Sequence, residues 1–149
     1  MKSLIDLREG EELTQKAWMQ ITQNDIDTFA DATGDHQWIH LDKAKCEKES
    51  PFKTTIAHGF LTASLMPKAF SQVVGTSQRV ASTINYGIDS LRFLSPVCSE
   101  DSVKYTFVVK EITKKNSGLL YKVEASCKIE SSGELALVGT FLMLAVMAQ

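Results

Sequence analysis

The chain reads as an α+β domain in which an antiparallel sheet wraps around one long buried helix. Three observations carry that reading. The segment from His58 to Val74 is apolar nearly all round, as a helix covered on every side must be. Beyond Gly75 the pattern changes to residues alternating along the chain, the period of a strand with one face on a core. Short polar turns at Lys114 to Gly118 and at Ser131-Ser132-Gly133 separate the alternating runs. The 149 residues suit one domain, and no linker or internal repeat divides them, so residues 1–149 are read as a single unit.

Each element follows from local chemistry. Thr22-Gln23-Asn24-Asp25 reads as an N-cap with an acidic residue three positions on. Ile26, Phe29, Ala30 and Thr33 recur at helical spacing, and Gly34 is a natural stop. Leu41 to Ser50 is polar and reads as a short surface helix or turn, ended by Pro51. The central helix carries Phe60, Leu61, Ala63, Leu65, Met66, Ala69, Phe70, Val73 and Val74. Pro67 inside it removes one backbone hydrogen bond and predicts a kink or an early end. Strands are expected at Ser82 to Leu94, with Gly87 as a bulge, at Ser102 to Thr113, at Leu119 to Glu130 and at Glu134 to Met147. The last is apolar on both faces and is expected to be covered on both. A meander curled over one apolar helix is the hot-dog arrangement, and its free sheet edges invite pairing into a dimer.

Composition excludes several functions. Sixteen basic residues stand against eighteen acidic ones, a net charge of -2. No basic face is available to neutralise phosphates, so nucleic acid is not an expected partner. The three cysteines, Cys46, Cys98 and Cys127, lack the spacing of a disulfide framework or a zinc motif and read as small buried hydrophobes. Met1 to Leu13 carries Asp6, Arg8, Glu9, Glu11 and Glu12 and has no signal-peptide apolar core. The most apolar stretch, Leu135 to Ala148, is 14 residues, short of the ~20 a spanning helix needs. A soluble cytoplasmic protein without membrane contact is the expectation.

The residues able to do chemistry lie between Phe29 and Leu65. Asp35 and His40 are five apart, just past a helix end. In a folded-back loop a carboxylate and an imidazole can hold one water molecule and move its proton, and histidine suits this because it titrates near ~6.5. The same spacing fits a simpler role, with Asp35 capping the next helix and His40 an ordinary buried polar group. Gly59 would open the central helix, where an amide N–H is unpaired and a ligand can approach the backbone closely. That amide could meet an oxyanion, or Gly59 could serve packing alone.

Thr33-Gly34-Asp35-His36-Gln37-Trp38-Ile39-His40, followed by Ile56-Ala57-His58-Gly59-Phe60-Leu61, resembles the MaoC-like dehydratase family, which includes the R-specific enoyl-CoA hydratases. The spelling Gly-Asp-His-Gln-Trp-Ile-His is similar to the branch containing nodulation protein N, as are Asn85-Tyr86-Gly87, Leu91-Arg92-Phe93 and Ser95-Pro96-Val97. The resemblance runs from about Trp18 to Val97. It implies a hot-dog homodimer that adds water reversibly across the 2,3 double bond of an acyl thioester, with coenzyme A or an acyl-carrier protein as the carrier. It implies that Asp35 and His40 are the catalytic pair and that the Gly59 N–H is the oxyanion contact. Gln37, Trp38, His58 and Asn85-Tyr86-Gly87 are then candidates to line the thioester substrate. No metal or other cofactor is implied.

Departures from the family pattern bear on the site. Gln37-Trp38 stands where the common motif has Asn-Pro. Gln37 can still orient the loop or the aspartate through hydrogen bonds, and Trp38 is read as core filler. His36 reads as exposed loop, and His58 as setting the turn into the helix. His36 and His40 have i, i+4 metal spacing, but no third ligand is evident nearby. A serine that some hydratases place in the acyl pocket corresponds to Pro67. Lys53 could reach a phosphate of coenzyme A or stay solvated. Two other functions compete. A hot-dog thioesterase would place its acid on the central helix, yet no Asp or Glu lies between His58 and Gly75. A catalytically silent acyl-CoA binding module would have lost the Asp35/His40 pair, and both are present.

Overall fold

The computed structural model describes residues 1–149. A 3-10 turn at Leu4–Asp6 leads into two short strands, β1 (Glu12–Thr14) and β2 (Met19–Gln20). Helices α1 (Gln23–Thr33), α2 (Trp38–Leu41), α3 (Lys43–Glu49), α4 (Gly59–Ser64) and α5 (Met66–Ser71) follow. Four long strands close the chain: β3 (Val80–Phe93), β4 (Ser102–Lys114), β5 (Gly118–Ile129) and β6 (Leu135–Met147). They form one antiparallel sheet in the order β1-β4-β5-β6-β3, with β2 sharing the outer edge of β4. The two short edge strands carry no alternation long enough to be read from sequence.

Local signals set the helix ends as expected. The Thr22 hydroxyl accepts from Asp25 N, and the Asp25 carboxylate accepts from Thr22 N, a complete capping box. Gly34 ends α1 at φ 80°, a conformation only glycine adopts cheaply, and so delivers Asp35 to a fixed point. The polar stretch Leu41 to Ser50 becomes α3, with Asp42 capping it through Lys45 N at 3.0 Å, and the separate four-residue α2 precedes it.

The central helix breaks beside Pro67, as the sequence predicts, but its burial departs from expectation. It is two six-residue helices meeting at Leu65. Pro67 has no N–H, so the winding tightens: Leu65 N is shared between the carbonyls of Leu61 and Thr62. It is also not covered on every side. Leu61, Thr62, Ala63, Met66, Ala69 and Phe70 are buried against the sheet, while Phe60 is 69% exposed and Ser64, Pro67 and Lys68 are open.

The core is the space between this helix pair and one face of the sheet. Val103, Tyr105, Phe107 and Val109 of β4, and Tyr121, Val123, Ala125 and Cys127 of β5, are fully buried. Phe70 meets Phe107 and Phe141 edge-on at 5.2 and 6.0 Å. The two buried phenols are satisfied: Tyr105 donates to the Thr62 carbonyl and Tyr121 to the Leu4 carbonyl. Cys46 and Cys127 are buried and Cys98 is half-buried, all as free thiols.

One strand expectation is corrected. The outward residues of β6, Val138, Thr140, Leu142, Leu144 and Val146, are only half-buried, because neighbouring side chains shade them and no second layer covers them. The meander is β4-β5-β6, and β3 stands outside it. It lies beyond β6, at the far edge. The most apolar strand thereby gains a neighbour on each side, and the strand bearing Ser82, Thr83, Asn85, Asp89, Ser90 and Arg92 takes the edge. The register slips between Asn85 and Gly87, leaving Tyr86 without a partner on β6 and 56% exposed. Residues 94–101 must then cross from β3 to β4, and on the way they pair with Thr55–Ala57: Ala57 N donates to Val97 O at 2.7 Å and Ser99 N to Thr55 O at 2.9 Å.

Phe107→Ala removes the ring on which Phe70, Tyr105 and Phe141 converge. Urea unfolding should show a loss of ~3–5 kcal/mol; a loss under ~1 kcal/mol would mean that the core collapses around the gap.

Candidate active site

The loop after α1, the helix α2 and the segment entering α4 meet at one place. Gly34 turns the chain so that Asp35 stands half-buried beside that segment. Gln37 orients its carboxylate, with Nε2 and the backbone N–H donating to Oδ1 at 3.3 and 3.5 Å. His40 is in the last turn of α2 and is buried. Its Nδ1 lies 2.7 Å from the Ile56 carbonyl. A carbonyl only accepts, so Nδ1 carries the proton and Nε2 keeps a free lone pair.

His58 lies beneath this pair. Its ring stacks on His40 with centroids 3.7 Å apart and 24° between planes, and Phe29 tilts against it at 4.9 Å. Its Nε2 sits 3.0 Å from the Asp35 main-chain carbonyl. The same reasoning puts a proton on that nitrogen, and Nδ1 is buried with no partner. His58 therefore braces both members of the pair, one through ring contact and one through the backbone. Asp35, His40 and His58 bring donor atoms within 4.8 Å of one another. The groups that gather with His40 are thus Asp35 and His58, a set the sequence spacing did not indicate, while His36 turns outward to Asp31 at 3.0 Å. The two imidazole planes are nearly parallel, and His58 Nε2 is already turned to the Asp35 carbonyl.

The charges are tuned in opposite senses. Burial pushes the His40 imidazole below its ordinary value, and His58 adds to that lowering. The Ile56 carbonyl and the Asp35 carboxylate oppose it but do not win. For Asp35, partial desolvation acts upward, yet the Gln37 hydrogen bonds and the two nearby imidazoles outweigh it and hold the carboxyl low. A neutral imidazole beside an ionised carboxylate is the state a proton acceptor requires.

A cavity of about 260 Å³ opens from His40 past Gly59, Thr62, Phe93, Leu94 and Ala136. Gly59 is the first residue of α4, and a Cβ there would lie 2.9 Å from the Phe93 ring. Only glycine lets the chain pass that ring at this border of the cavity.

Other candidates lie elsewhere. Asn85 and Gly87 line a second cavity of about 290 Å³ with Phe60, Ser64, Ile88 and Leu142. The edge-on pair Phe60 and Phe93 stands near both cavities, and Tyr86 is outside on its bulge. Trp38 is not core: it is 36% exposed, with Lys45 Nζ 4.5 Å above its ring. A four-residue helix has one inward face, and Ile39 and His40 occupy it. Gln23, Thr55 and Ile56 were missed as candidates. They hold His40 without being of a catalytic type; Thr55 and Ile56 adjoin the Ala57-His58-Gly59 motif, whereas Gln23 carries no sequence signal of that role.

Comparison with known proteins identifies the family and the fold. The family model described as MaoC like domain matches residues 6–130. The chain is 39% identical to nodulation protein N of Rhizobium leguminosarum bv. viciae, over 95% of this chain and 90% of that protein. It is 39% identical to 3-hydroxyacyl-thioester dehydratase Z of Mycobacterium tuberculosis, over 87% and 85%. Among solved structures, an unliganded R-hydratase of Pseudomonas aeruginosa superposes with a TM-score of 0.79 at 27% identity, covering 97% of this chain and 85% of that one. An (R)-hydratase from A. caviae has the same hot-dog fold, with a TM-score of 0.77 at 23% identity, covering 94% and 98%.

His40 should titrate in an NMR pH series with a midpoint below ~6.5, the value of a free imidazole. Its folded value is depressed, so the unfolded chain binds the extra proton first. The stability it contributes is complete above ~6.5 and is lost as pH falls through the folded midpoint. A midpoint above ~6.5 would mean that the Asp35 carboxylate, not burial, governs the ring.

Proposed function

The chain belongs to the MaoC-like dehydratase family, and from that footing we propose that it hydrates 2-enoyl-CoA to (R)-3-hydroxyacyl-CoA, and runs the dehydration in reverse. The observation that carries the reading is the Asp35 carboxylate brought within 4.8 Å of the His40 and His58 imidazoles, with His40 also lining a cavity that Gly59 borders. One named relative is a 3-hydroxyacyl-thioester dehydratase, which fits the same substrate class. Carriage on an acyl-carrier protein would serve the same chemistry.

In hydration, a water molecule held between Asp35 and His40 attacks C3. The new bond is O–C3, and the water proton passes to the pair. The π electrons of the double bond move through C2 toward the thioester oxygen, where the Gly59 N–H can meet the charge. The enolate then collapses as C2 takes a proton from the same pair. Removing an oxyanion donor of this kind costs ~10²–10³ in rate, and general acid–base help is worth ~10²–10⁴. No redox step or covalent intermediate is needed, and no metal is invoked.

The working unit is proposed to be a homodimer. β3 pairs with β6 on one side only. Along it Ile84, Tyr86, Ile88 and Phe93 are each about half exposed, beside the open Phe60 of the central helix. An open edge with that much apolar surface favours a partner, and a second copy brings the same edge. No helix is long and apolar enough to cross a membrane.

Purified protein should remove the absorbance of crotonyl-CoA or a longer 2-enoyl-CoA. Asp35→Asn and His40→Ala should each lower kcat by ~10²–10⁴ while remaining folded. Release of free thiol without loss of the enoyl band would instead make the protein a thioesterase, and binding without either would make it an acyl-CoA binding module. Sedimentation should give the mass of two chains, and Ile84→Glu with Ile88→Glu should give one. A wild-type protein that sediments as a single chain would remove the dimer from the proposal.

A further inference from the structure

Gln23 belongs to the first turn of α1, away from the reacting groups, yet its side chain reaches the back of the site. Nε2 donates to the His40 carbonyl at 2.8 Å and to Asp27 Oδ1 at 2.9 Å. Oε1 accepts from the Thr55 hydroxyl at 2.5 Å. The Gln23 backbone N–H is itself held by Glu100 Oε1 at 2.9 Å. Thr55 is 1% exposed, so its hydroxyl has no recourse to water.

These bonds close a circuit around His40. The next residue after Thr55, Ile56, accepts the His40 Nδ1 proton and donates its own N–H to the Ile39 carbonyl at 3.0 Å. One arm therefore holds the His40 ring and the other its main chain, and both return to Thr55-Ile56. The circuit is needed because α2 has only four residues. Such a helix is not stable alone, and its last carbonyls have no partner within it. Gln23 and Ile56 satisfy those of His40 and Ile39 respectively.

We infer that Gln23 and Thr55 are positioning residues that fix the height and angle of His40 relative to Asp35, in support of the hydration chemistry proposed above. Neither touches the cavity that receives substrate. Their effect passes through His40, where displacement of a reacting group by ~1 Å is worth up to 10²-fold in rate. The effect should fall on turnover rather than on binding.

The test compares Gln23→Leu, Thr55→Val and Thr55→Ser in the full chain, with crotonyl-CoA as the probe. Gln23→Leu and Thr55→Val are expected to lose ~10–100-fold in kcat with KM nearly unchanged. Thr55→Ser keeps the hydroxyl and is expected to restore most of the rate. In NMR the His40 Nδ1–H signal and titration midpoint should move in the two impaired variants and stay in place in Thr55→Ser. If Gln23→Leu does not fold, the Thr55 pair decides by itself. Wild-type kcat with unmoved His40 signals in Thr55→Val would overturn the inference, as would a Thr55→Ser variant no better than Thr55→Val. If the wild-type protein hydrates no enoyl thioester, the hydration proposal falls. The His40 signals then still decide whether the circuit positions the ring.

Discussion

The site depends on one hydrogen bond, from His40 Nδ1 to the carbonyl of Ile56. It fixes which ring nitrogen bears the proton, and so which nitrogen can take one. It also sets the ring plane on which His58 stacks and toward which Asp35 is turned. A typical hydrogen bond contributes only ~0.5–1.5 kcal/mol to stability. Its importance here lies in direction. It joins residue 40 to residue 56 and holds α2 against the entry to the central helix.

The two sides of the pair are kept in different surroundings by the same loop. Asp35 stays half exposed and keeps its charge through Gln37, while His40 is drawn inside and kept neutral. Two carboxylates or two exposed groups in those places would not be poised against each other. Glycine makes both approaches possible. Gly34 supplies the left-handed turn that presents Asp35, and Gly59 supplies the missing Cβ that lets the central helix begin beneath the Phe93 ring.

The rest of the fold is arranged around what the single chain leaves open. Helices α4 and α5 bury one face on the sheet, and β3 lies at an edge with apolar residues exposed beside Phe60. The crossing segment that puts β3 there also supplies Val97 and Ser99, whose main chains hold Thr55 and Ala57 in line. The edge strand and the site are thus products of one topological choice.

Much of this was legible in the residues. The capping box at Thr22, the stop at Gly34, the alternation of Val103 to Val109 and of Tyr121 to Ile129, and the glycine bulge on β3 are local signals, and local signals are written in neighbouring residues. Asp35 and His40 could be named because five residues and a helix end allow them to converge, and the resemblance of the surrounding motif singled them out as a pair. The motif before Gly59 marked the entry to the helix for the same reason. Other features depended on residues far apart in the chain. Trp38 was assigned to the core because aromatics usually pack, but a four-residue helix had room for only two inward side chains. The placement of β3 beyond β6, the stacking of His58 on His40 and the reach of Gln23 across to Thr55 were decided by tertiary structure alone. They satisfy buried polar groups and apolar edges that have no partner until the whole chain closes, and no short window of sequence records which distant residue will supply one.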